Sequence, residues 1–241
     1  MSSTLAAVAA PLLFAAAALS PADLLILADR PKQTYREAVI STRVTVLESG
    51  RETGTSEFDV YRKGNDRALI VFTGGKQKGR KILTAGEKFW LIVPGSSRAI
   101  PVTSNQRLVG GASFGDVARL SFSEEFTAIP AASSERVDGR SCDVLELSAR
   151  RPSAAYASGR LWIDRQEHLA RRALLSLASG KQAKEVFFDT YEIEAGGPVL
   201  RQMTIRDLLD SRGVSSRIEY TKYRKAELPD SLFTPEGALN F

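Results

Sequence analysis

One short segment has the spacing of a catalytic serine. Residues 111–115 read Gly-Ala-Ser-Phe-Gly, which matches the G-x-S-x-G turn that exposes the nucleophile of α/β-hydrolases. That fold needs a histidine base and alternating strands and helices, but the only histidine, His168, lies in a predicted hairpin turn. Asp116, three residues after Ser113, predicts a helix-capping box instead. We therefore expect Ser113 to begin a helix and not to act as a nucleophile.

A basic stretch at residues 74–81 has the glycines and lysines of a phosphate-binding loop. Its last glycine is followed by Arg80 and Lys81, where that loop has a lysine and then a Ser or Thr that binds Mg²⁺. The stretch therefore predicts a hairpin tip with four cations, which could contact lipid phosphates at a membrane surface.

The supply of reactive side chains is small. The single cysteine, Cys142, and the single histidine exclude an internal disulfide, a cysteine-cluster metal site and zinc sites with several imidazoles. The carboxylates show no EF-hand spacing and no clear acid–base pair. We therefore predict no catalytic residues, no metal and no cofactor. Cys142 is expected to be a half-buried thiol in a strand.

The charges are distributed unevenly along the 241 residues. There are 33 Lys and Arg against 28 Asp and Glu, a net charge of +5, and the first charged residue is Asp23. Residues 5–19 form an apolar run with the length of a signal-peptide core, followed by the small residues Ser20 and Ala22. We expect residues 1–22 to be a signal peptide, with an uncleaved anchor or a disordered tail as alternatives. Residues 23–241 then form one exported domain whose basic surface favours anionic lipids or acidic partners over nucleic acid.

Strand patterns dominate after a short helix that is predicted over residues 23–29 and ended by Pro31. Alternating apolar and polar residues around Val44 are typical of a half-buried strand, and residues 48–54 have turn composition. A further short helix is predicted within residues 110–122. Similar patterns and turns along the rest of the chain predict about eleven strands joined by short connections, and therefore one large antiparallel sheet.

Both faces of the predicted sheet carry large apolar side chains. Trp90 and Ile92 alternate with Phe89 and Leu91, and the strand around Trp162 shows the same pattern. A sheet with one face in water should alternate apolar with polar residues. Helices could cover the second face, the sheet could wrap around a cavity, or two sheets could form a sandwich.

Four segments together resemble the LolA-like outer-membrane lipoprotein-sorting proteins, in particular an uncharacterized branch of that superfamily. They are the Gly-Glu-Lys-Phe-Trp strand pair, a glycine-rich helix entry, a Leu-Trp-Ile-Asp strand end and a closing Leu-Pro-Asp-Ser-Leu-Phe motif, at residues 84–94, 109–120, 161–164 and 228–234. Their order and spacing hold from about residue 23 to residue 241. Ala85 departs from the pattern, because the family has an aspartate there.

The resemblance implies a mainly β protein with short helices, an incomplete antiparallel β-barrel in which a helical lid encloses an apolar cavity. It implies a monomeric, non-enzymatic periplasmic carrier that takes lipid or lipoprotein acyl chains towards the outer membrane. The implied partners are an inner-membrane transporter of the resistance–nodulation–division type or an outer-membrane receptor. A cavity arginine that holds the lid closed is matched by Arg62, with Arg67 as the alternative.

Strand alternation then predicts which side chains form the cavity wall. The apolar wall residues expected beside Arg62 are Ile40, Val44, Val46, Phe58, Val60, Ile70, Phe72, Trp90 and Ile92. A one-residue error in register would move the residues of that strand to the opposite face. A different function stays open for the same fold, namely a sensor or interaction module that binds a signalling or transporter protein.

Overall fold

One antiparallel sheet of 14 strands forms the body of the protein. The computed structural model describes residues 19–103, 106–113, 116–117, 121–152 and 154–241. The strand order across the sheet is β10-β11-β12-β13-β14-β15-β16-β1-β2-β3-β4-β5-β6, and β9 pairs with β11 beside this path. The first half is β1 Glu37–Glu48, β2 Arg51–Lys63, β3 Arg67–Phe72, β4 Lys81–Ala85, β5 Lys88–Ile92, β6 Ile100–Val102, β7 Arg107–Val109 and β8 Ala112–Ser113. The second half is β9 Phe126–Pro130, β10 Glu135–Val137, β11 Arg140–Ala149, β12 Ser158–Asp164, β13 Ala170–Ser176, β14 Gln182–Glu194, β15 Gly197–Asp207 and β16 Val214–Lys225.

The predicted mainly β architecture is confirmed, and it is a single open sheet rather than a sandwich. The short strands β7 and β8 form a separate hairpin, and the sequence patterns missed them along with β9. The pairing of β1 with β16 joins the two halves of the chain in the middle of the sheet. The short helices are α1 Pro21–Ala28, α2 Arg30–Thr34, α3 Phe122–Glu125 and α4 Pro235–Asn240, with 3₁₀ turns at Gly75–Gln77 and Asp230–Phe233.

The first hairpin is tighter than its composition predicted. Ser49 and Gly50 both have positive φ, at 49° and 79°, as in the two-residue turns that match the twist of paired strands. Residues 51–54, expected to belong to the turn, are therefore the exposed start of β2. Turn composition failed as a guide here because Gly, Thr and charged residues also suit a strand that is solvated on both faces.

The N-terminal helical segment also differs from its prediction. The α1 helix begins at Pro21, where Ser20 and Asp23 form a reciprocal capping box. Pro31 does not end this helix but lies in the first turn of α2, a position that tolerates proline because no amide donor is needed there. Residues 1–18 lie outside the described residues, so the signal peptide at residues 1–22 stays a prediction. No described helix is long and apolar enough to cross a membrane.

The two faces of the sheet are covered differently. The inner face packs with α1 and α3 into the main core, which includes Leu25, Phe58, Ile70 and Phe126. On the outer face, the segment that contains the second 3₁₀ turn and α4 covers β3 to β5 in a second cluster, here called the outer cluster. Its buried members are Val39, Leu69, Leu83, Ile92, Leu228, Leu232, Phe233 and Ala238. Helical cover on both faces therefore explains why β3 to β5 are apolar on both sides, whereas Trp162 packs on the outer face among strand and loop residues.

The glycine-rich segment before Asp116 docks a hairpin onto the sheet. Gly110 has a φ of +54°, and a Cβ there would lie 2.6 Å from Ser216 Oγ and 2.9 Å from Val46, so only glycine fits. The predicted capping box is confirmed: the Ser113 amide donates to Asp116 Oδ2 at 2.8 Å, and the Asp116 amide donates to Ser113 Oγ at 3.3 Å. Leu120, predicted on the same helix, lies outside the described residues.

Cys142 is fully buried in β11, not half-buried as predicted, in a small cluster with Val144 and Trp162. Burial raises the pKa of its thiol, and only the thiolate reacts readily. We expect Ellman's reagent to modify the native protein at least about a hundredfold more slowly than the protein in guanidinium chloride. Similar rates in the two states would contradict this buried position.

Candidate functional site

The candidate site is a partly open, mainly apolar cavity between the inner face of the sheet and the short helices. Its volume is about 90 Å³, well below the roughly 300 to 1,000 Å³ of ligand pockets. Strands β1, β2, β14, β15 and β16 form one side, and α1, α2 and α3 form the other. The cavity is lined by Ala28, Asp29, Pro31, Lys32, Ile40, Val60, Arg62, Gly64, Asn65, Asp116, Val117, Phe122, Phe188, Tyr191, Leu200, Met203, Tyr220 and Tyr223.

The three helices over the cavity, here called the lid, are joined by Asp29. This buried carboxylate accepts hydrogen bonds from the Ser121 hydroxyl at 2.8 Å and the Phe122 amide at 3.1 Å. It also accepts from the amide and hydroxyl of Ser123, at 2.8 and 2.7 Å. The first amides of a helix have no partner within the helix, and no side chain of α3 itself caps them. Asp29, between α1 and α2, therefore supplies the cap of α3.

Arg62 ties the lid to the sheet from the opposite side. Its side chain leaves β2, and its Nη2 donates to the Lys32 carbonyl at 2.9 Å and to the Tyr35 carbonyl. Nε is buried without a hydrogen-bond partner in the part of the chain that the structure describes. Both lid carbonyls belong to α2 or its end, so the position of α2 depends on this guanidinium.

Arg67, the alternative cavity arginine, lies elsewhere. Its guanidinium binds Asp230 at 2.8 Å and lies 5.8 Å from the centre of the Phe233 ring. These partners belong to the C-terminal cover of the outer face, so Arg67 anchors that cover and not the lid.

The structure divides the predicted wall residues into three groups. Ile40, Val60 and Arg62 line the cavity. Others lie in the main core around it without reaching the cavity, namely Val44, Val46, Phe58, Ile70 and Phe72. Trp90 and Ile92 were placed on the wrong face, because both pack in the outer cluster. Strand partners share a face, and Ile82 pairs with Leu91 while Leu83 pairs with Trp90, so it is Leu91 that points inward.

Most of the cavity lining was missed from the sequence, since of its 18 residues only Ile40, Val60 and Arg62 were predicted. The missed residues on the sheet come from β14, β15 and β16, which lie on the side of β1 away from β2, and they are Phe188, Tyr191, Leu200, Met203, Tyr220 and Tyr223. The available signal was an excess of tyrosine and other large apolar residues in three consecutive predicted strands. It points to a cavity only when the pairing of β16 with β1 is known, since this pairing brings the last strands against the first.

The other candidate sites do not assemble. Ser113 is 4% exposed and borders a different surface groove from His168, so no serine–histidine pair forms. At the basic hairpin tip, the Lys81 ammonium donates to the Ala238 carbonyl at 2.9 Å and Arg80 donates to Gln77 at 3.1 Å. Of the four predicted cations, Lys76 and Lys78 are exposed. Within the described residues no group of three His, Cys, Asp or Glu side chains could hold a metal ion.

Comparison with protein families supplies the identification. A family model described as an uncharacterized protein matches residues 64–237, which is more than half of the chain. The chain belongs to this family. None of the curated proteins is similar enough in sequence to count as a match.

The fold of this family member is similar to that of several solved structures. A LolA superfamily protein from Nitrosomonas europaea is similar with 24% identity and a TM-score of 0.82, over 91% of this chain and 99% of that one. A DUF1329 family protein from Desulfovibrio piger has 22% identity and a TM-score of 0.77, over 92% and 100%. A domain described as outer membrane lipoprotein-sorting, from Vibrio parahaemolyticus, has 14% identity and a TM-score of 0.73, over 90% and 98%. The predicted resemblance to LolA-like proteins is confirmed for the fold, which is LolA-like.

Proposed function

We propose that this protein is a non-enzymatic carrier that binds a lipid, or the acyl chains of a lipoprotein, in the cavity under the lid. The observation that carries the proposal is a partly open, mainly apolar cavity between a sheet and a set of short helices. A surface of Ile40, Val60, Phe188 and Met203 is suited to hydrocarbon, because burial of apolar area is favourable by about 25 cal/mol per Å².

The proposed carrier function includes export of the protein and delivery of its ligand. Residues 1–22 would direct the chain to the periplasm, and the ligand would be carried towards the outer membrane. The LolA superfamily fold and the lipoprotein-sorting description of one structural neighbour support this route.

The small volume of the cavity requires movement of the lid. A hydrocarbon chain of a membrane lipid exceeds a space of about 90 Å³, so the described conformation is the closed one. Polar contacts hold the lid in place: Arg62 binds the Lys32 carbonyl at 2.9 Å and Thr34 donates to the Pro198 carbonyl at 2.7 Å. Asp29 ties the lid helices to one another. Ligand entry therefore needs α2 and α3 to move, while the hydrogen bonds of the sheet stay intact.

Native mass spectrometry of the protein purified from the periplasm tests the proposal. We expect co-purifying lipid mass on the wild-type protein and its loss from the Leu200→Trp variant, because the larger ring fills the cavity. The matched control is Leu174→Trp, which places the same change beside Trp162 on the outer face.

The result that contradicts the carrier is a lipid-free wild-type protein that holds a stable protein partner. That result favours the sensor or interaction module. Equal lipid loss from Leu200→Trp and Leu174→Trp would show that the lipid binds outside the cavity.

A further inference from the structure

The charged side chains that line the cavity do not form ion pairs with one another. Two carboxylates, Asp29 and Asp116, and two cations, Lys32 and Arg62, line the same space. Opposite charges held away from water normally pair, because an unpaired buried charge is costly. The structure records no salt bridge between these four groups in the part of the chain that it describes.

Both carboxylates are occupied by other partners. Asp29 accepts four hydrogen bonds from residues 121–123. Asp116 accepts from the Ser113 amide through Oδ2 and from the Tyr156 hydroxyl through Oδ1, each at 2.8 Å. Their oxygens are thus held by lid and hairpin donors, and the acids of the cavity cannot neutralise its cations by direct contact.

Neither cation makes a direct hydrogen bond or ion pair with a carboxylate of the described residues, although the charges of Asp29, Glu125 and Glu124 act on Lys32. Arg62 bonds only to backbone carbonyls through Nη2, and its buried Nε bonds to nothing in the described residues. Lys32 is half-buried, and its ammonium has no hydrogen bond or ion pair within the described ranges. The residues outside those ranges include no Asp or Glu, so they hold no carboxylate side chain to complete either pair.

The pKa shifts of Arg62 and Lys32 agree with the lack of a directly paired carboxylate. Burial lowers the pKa of the Arg62 guanidinium and of the Lys32 ammonium. At Lys32 the charges of Asp29, Glu125 and Glu124 offset part of the effect, while the charge of Arg62 adds to it. An anion placed between the two cations would relieve both the desolvation and their mutual repulsion.

We propose that the cavity selects an amphiphile with an anionic head group, a single-chain lipid that ends in a carboxylate or a phosphate. The head group pairs with Arg62 and Lys32, and the chain lies against the apolar wall towards Met203 and Phe188. This inference rests on the proposed function and names the chemical class of its ligand. The guanidinium fork matches a carboxylate or phosphate closely.

Tyr220 adds a further donor at this place. Its hydroxyl has only the Met203 sulfur, at 3.8 Å, as an acceptor within the described residues, and sulfur is a weak acceptor. The neighbouring hydroxyl of Tyr223 is committed to the Leu200 carbonyl at 2.5 Å. The Tyr220 hydroxyl can therefore turn towards an anionic oxygen at little cost.

Calorimetric titration of the delipidated protein with three ligands of equal chain length tests the inference. The ligands are laurate, dodecyl phosphate and dodecanol, which share twelve carbons and differ in the charge of the head group. We expect the affinities for laurate and dodecyl phosphate to be at least about tenfold higher than the affinity for dodecanol, because hydrogen bonds to charged groups are stronger than those between neutral groups. Acetate and inorganic phosphate, titrated alone, are expected to bind far more weakly because they bring no apolar surface.

Substitutions assign the charge effect to its residues. Arg62→Gln is expected to lower the ratio of laurate affinity to dodecanol affinity about tenfold, because the loss of its lid contacts acts on both ligands alike whereas the loss of its charge acts on laurate alone. Lys32→Gln, on the half-buried face of α2, should act in the same direction and provides a second variant if Arg62→Gln folds poorly. The matched control is Arg67→Gln, which removes a guanidinium of the outer face and should leave both affinities unchanged.

Each outcome has a distinct meaning. Equal affinity for laurate and dodecanol would overturn the inference and leave the carrier intact. Binding of none of the three ligands would overturn the carrier proposal and the inference with it. Binding of free phosphate as tight as that of dodecyl phosphate would show a site for small anions and contradict a lipid head group.

Discussion

Replacing Asp29 with alanine is expected to release the lid and to lower the free energy of unfolding by about 2 to 4 kcal/mol. The carboxylate accepts four hydrogen bonds within 3.1 Å and is 5% exposed. Its removal leaves the Phe122 and Ser123 amides at the start of α3 without a cap, together with two serine hydroxyls. Buried donors without acceptors cost more than the bond itself contributes.

The position of Asp29 makes the lid the first part to respond. The sheet keeps all its strand pairs in the variant, so the missing bonds act where α3 meets the junction of α1 and α2. Water reaches the uncapped amides most easily if α3 lifts from the cavity. We therefore expect opening of the lid at a lower free energy than unfolding of the sheet, and faster dissociation of any bound lipid.

Hydrogen exchange measured by mass spectrometry checks this result. Peptides that cover α2 and α3 should lose protection in Asp29→Ala, while peptides from β1 and β16 keep theirs. The matched control is Asp23→Ala, which removes another helix-capping carboxylate but one exposed at the start of α1, and only a small local change is expected. Equal changes in the two variants would contradict the role of Asp29 as the junction of the lid.

The sheet and its covered faces follow from local patterns, whereas the cavity follows from pairing over long distances. Alternation of side chains predicted the strand around Val44 and the apolar character of both faces. No local sequence pattern specifies that β16 lies beside β1. The two strands are far apart in the chain: the Thr221 hydroxyl on β16 donates to the Ser41 carbonyl on β1, 180 residues earlier. The tyrosines of β14 to β16 could therefore not be assigned to the wall.

The choice between Arg62 and Arg67 as the cavity arginine also depended on strand pairing that the sequence does not specify. Both follow the second predicted strand, and their spacing alone does not decide between them. Arg62 and Arg67 are separated by a tight turn, and Arg62 pairs with Ala68 across the hairpin while Lys63 pairs with Arg67. Strand partners share a face, so this register places the two guanidinium groups on opposite faces of the sheet. Asp29, in contrast, gave no signal, because its partners are about ninety residues away.

Replacing Phe233 with alanine is expected to destabilise the protein by about 3 to 5 kcal/mol. The ring is 4% exposed and packs in the outer cluster, with the Arg67 guanidinium 5.8 Å from its centre. This cluster is the only cover of β3 to β5 on the outer face within the described residues. Loss of the ring leaves a cavity and loosens the segment that shields Leu69 and Leu83 from water.

Urea denaturation monitored by tryptophan fluorescence measures the loss as a lower midpoint at an unchanged slope. The control is Phe241→Ala: Phe241 is 54% exposed and contacts Tyr61 at a centroid distance of 4.9 Å, so we expect a change below about 1 kcal/mol. Because the outer cluster lies on the far side of the sheet from the cavity, Phe233→Ala should still bind laurate while it remains folded. A midpoint equal to that of Phe241→Ala would contradict the packing role of Phe233. Loss of laurate binding by the folded variant would instead show that the C-terminal cover and the cavity are coupled through β2 and β3.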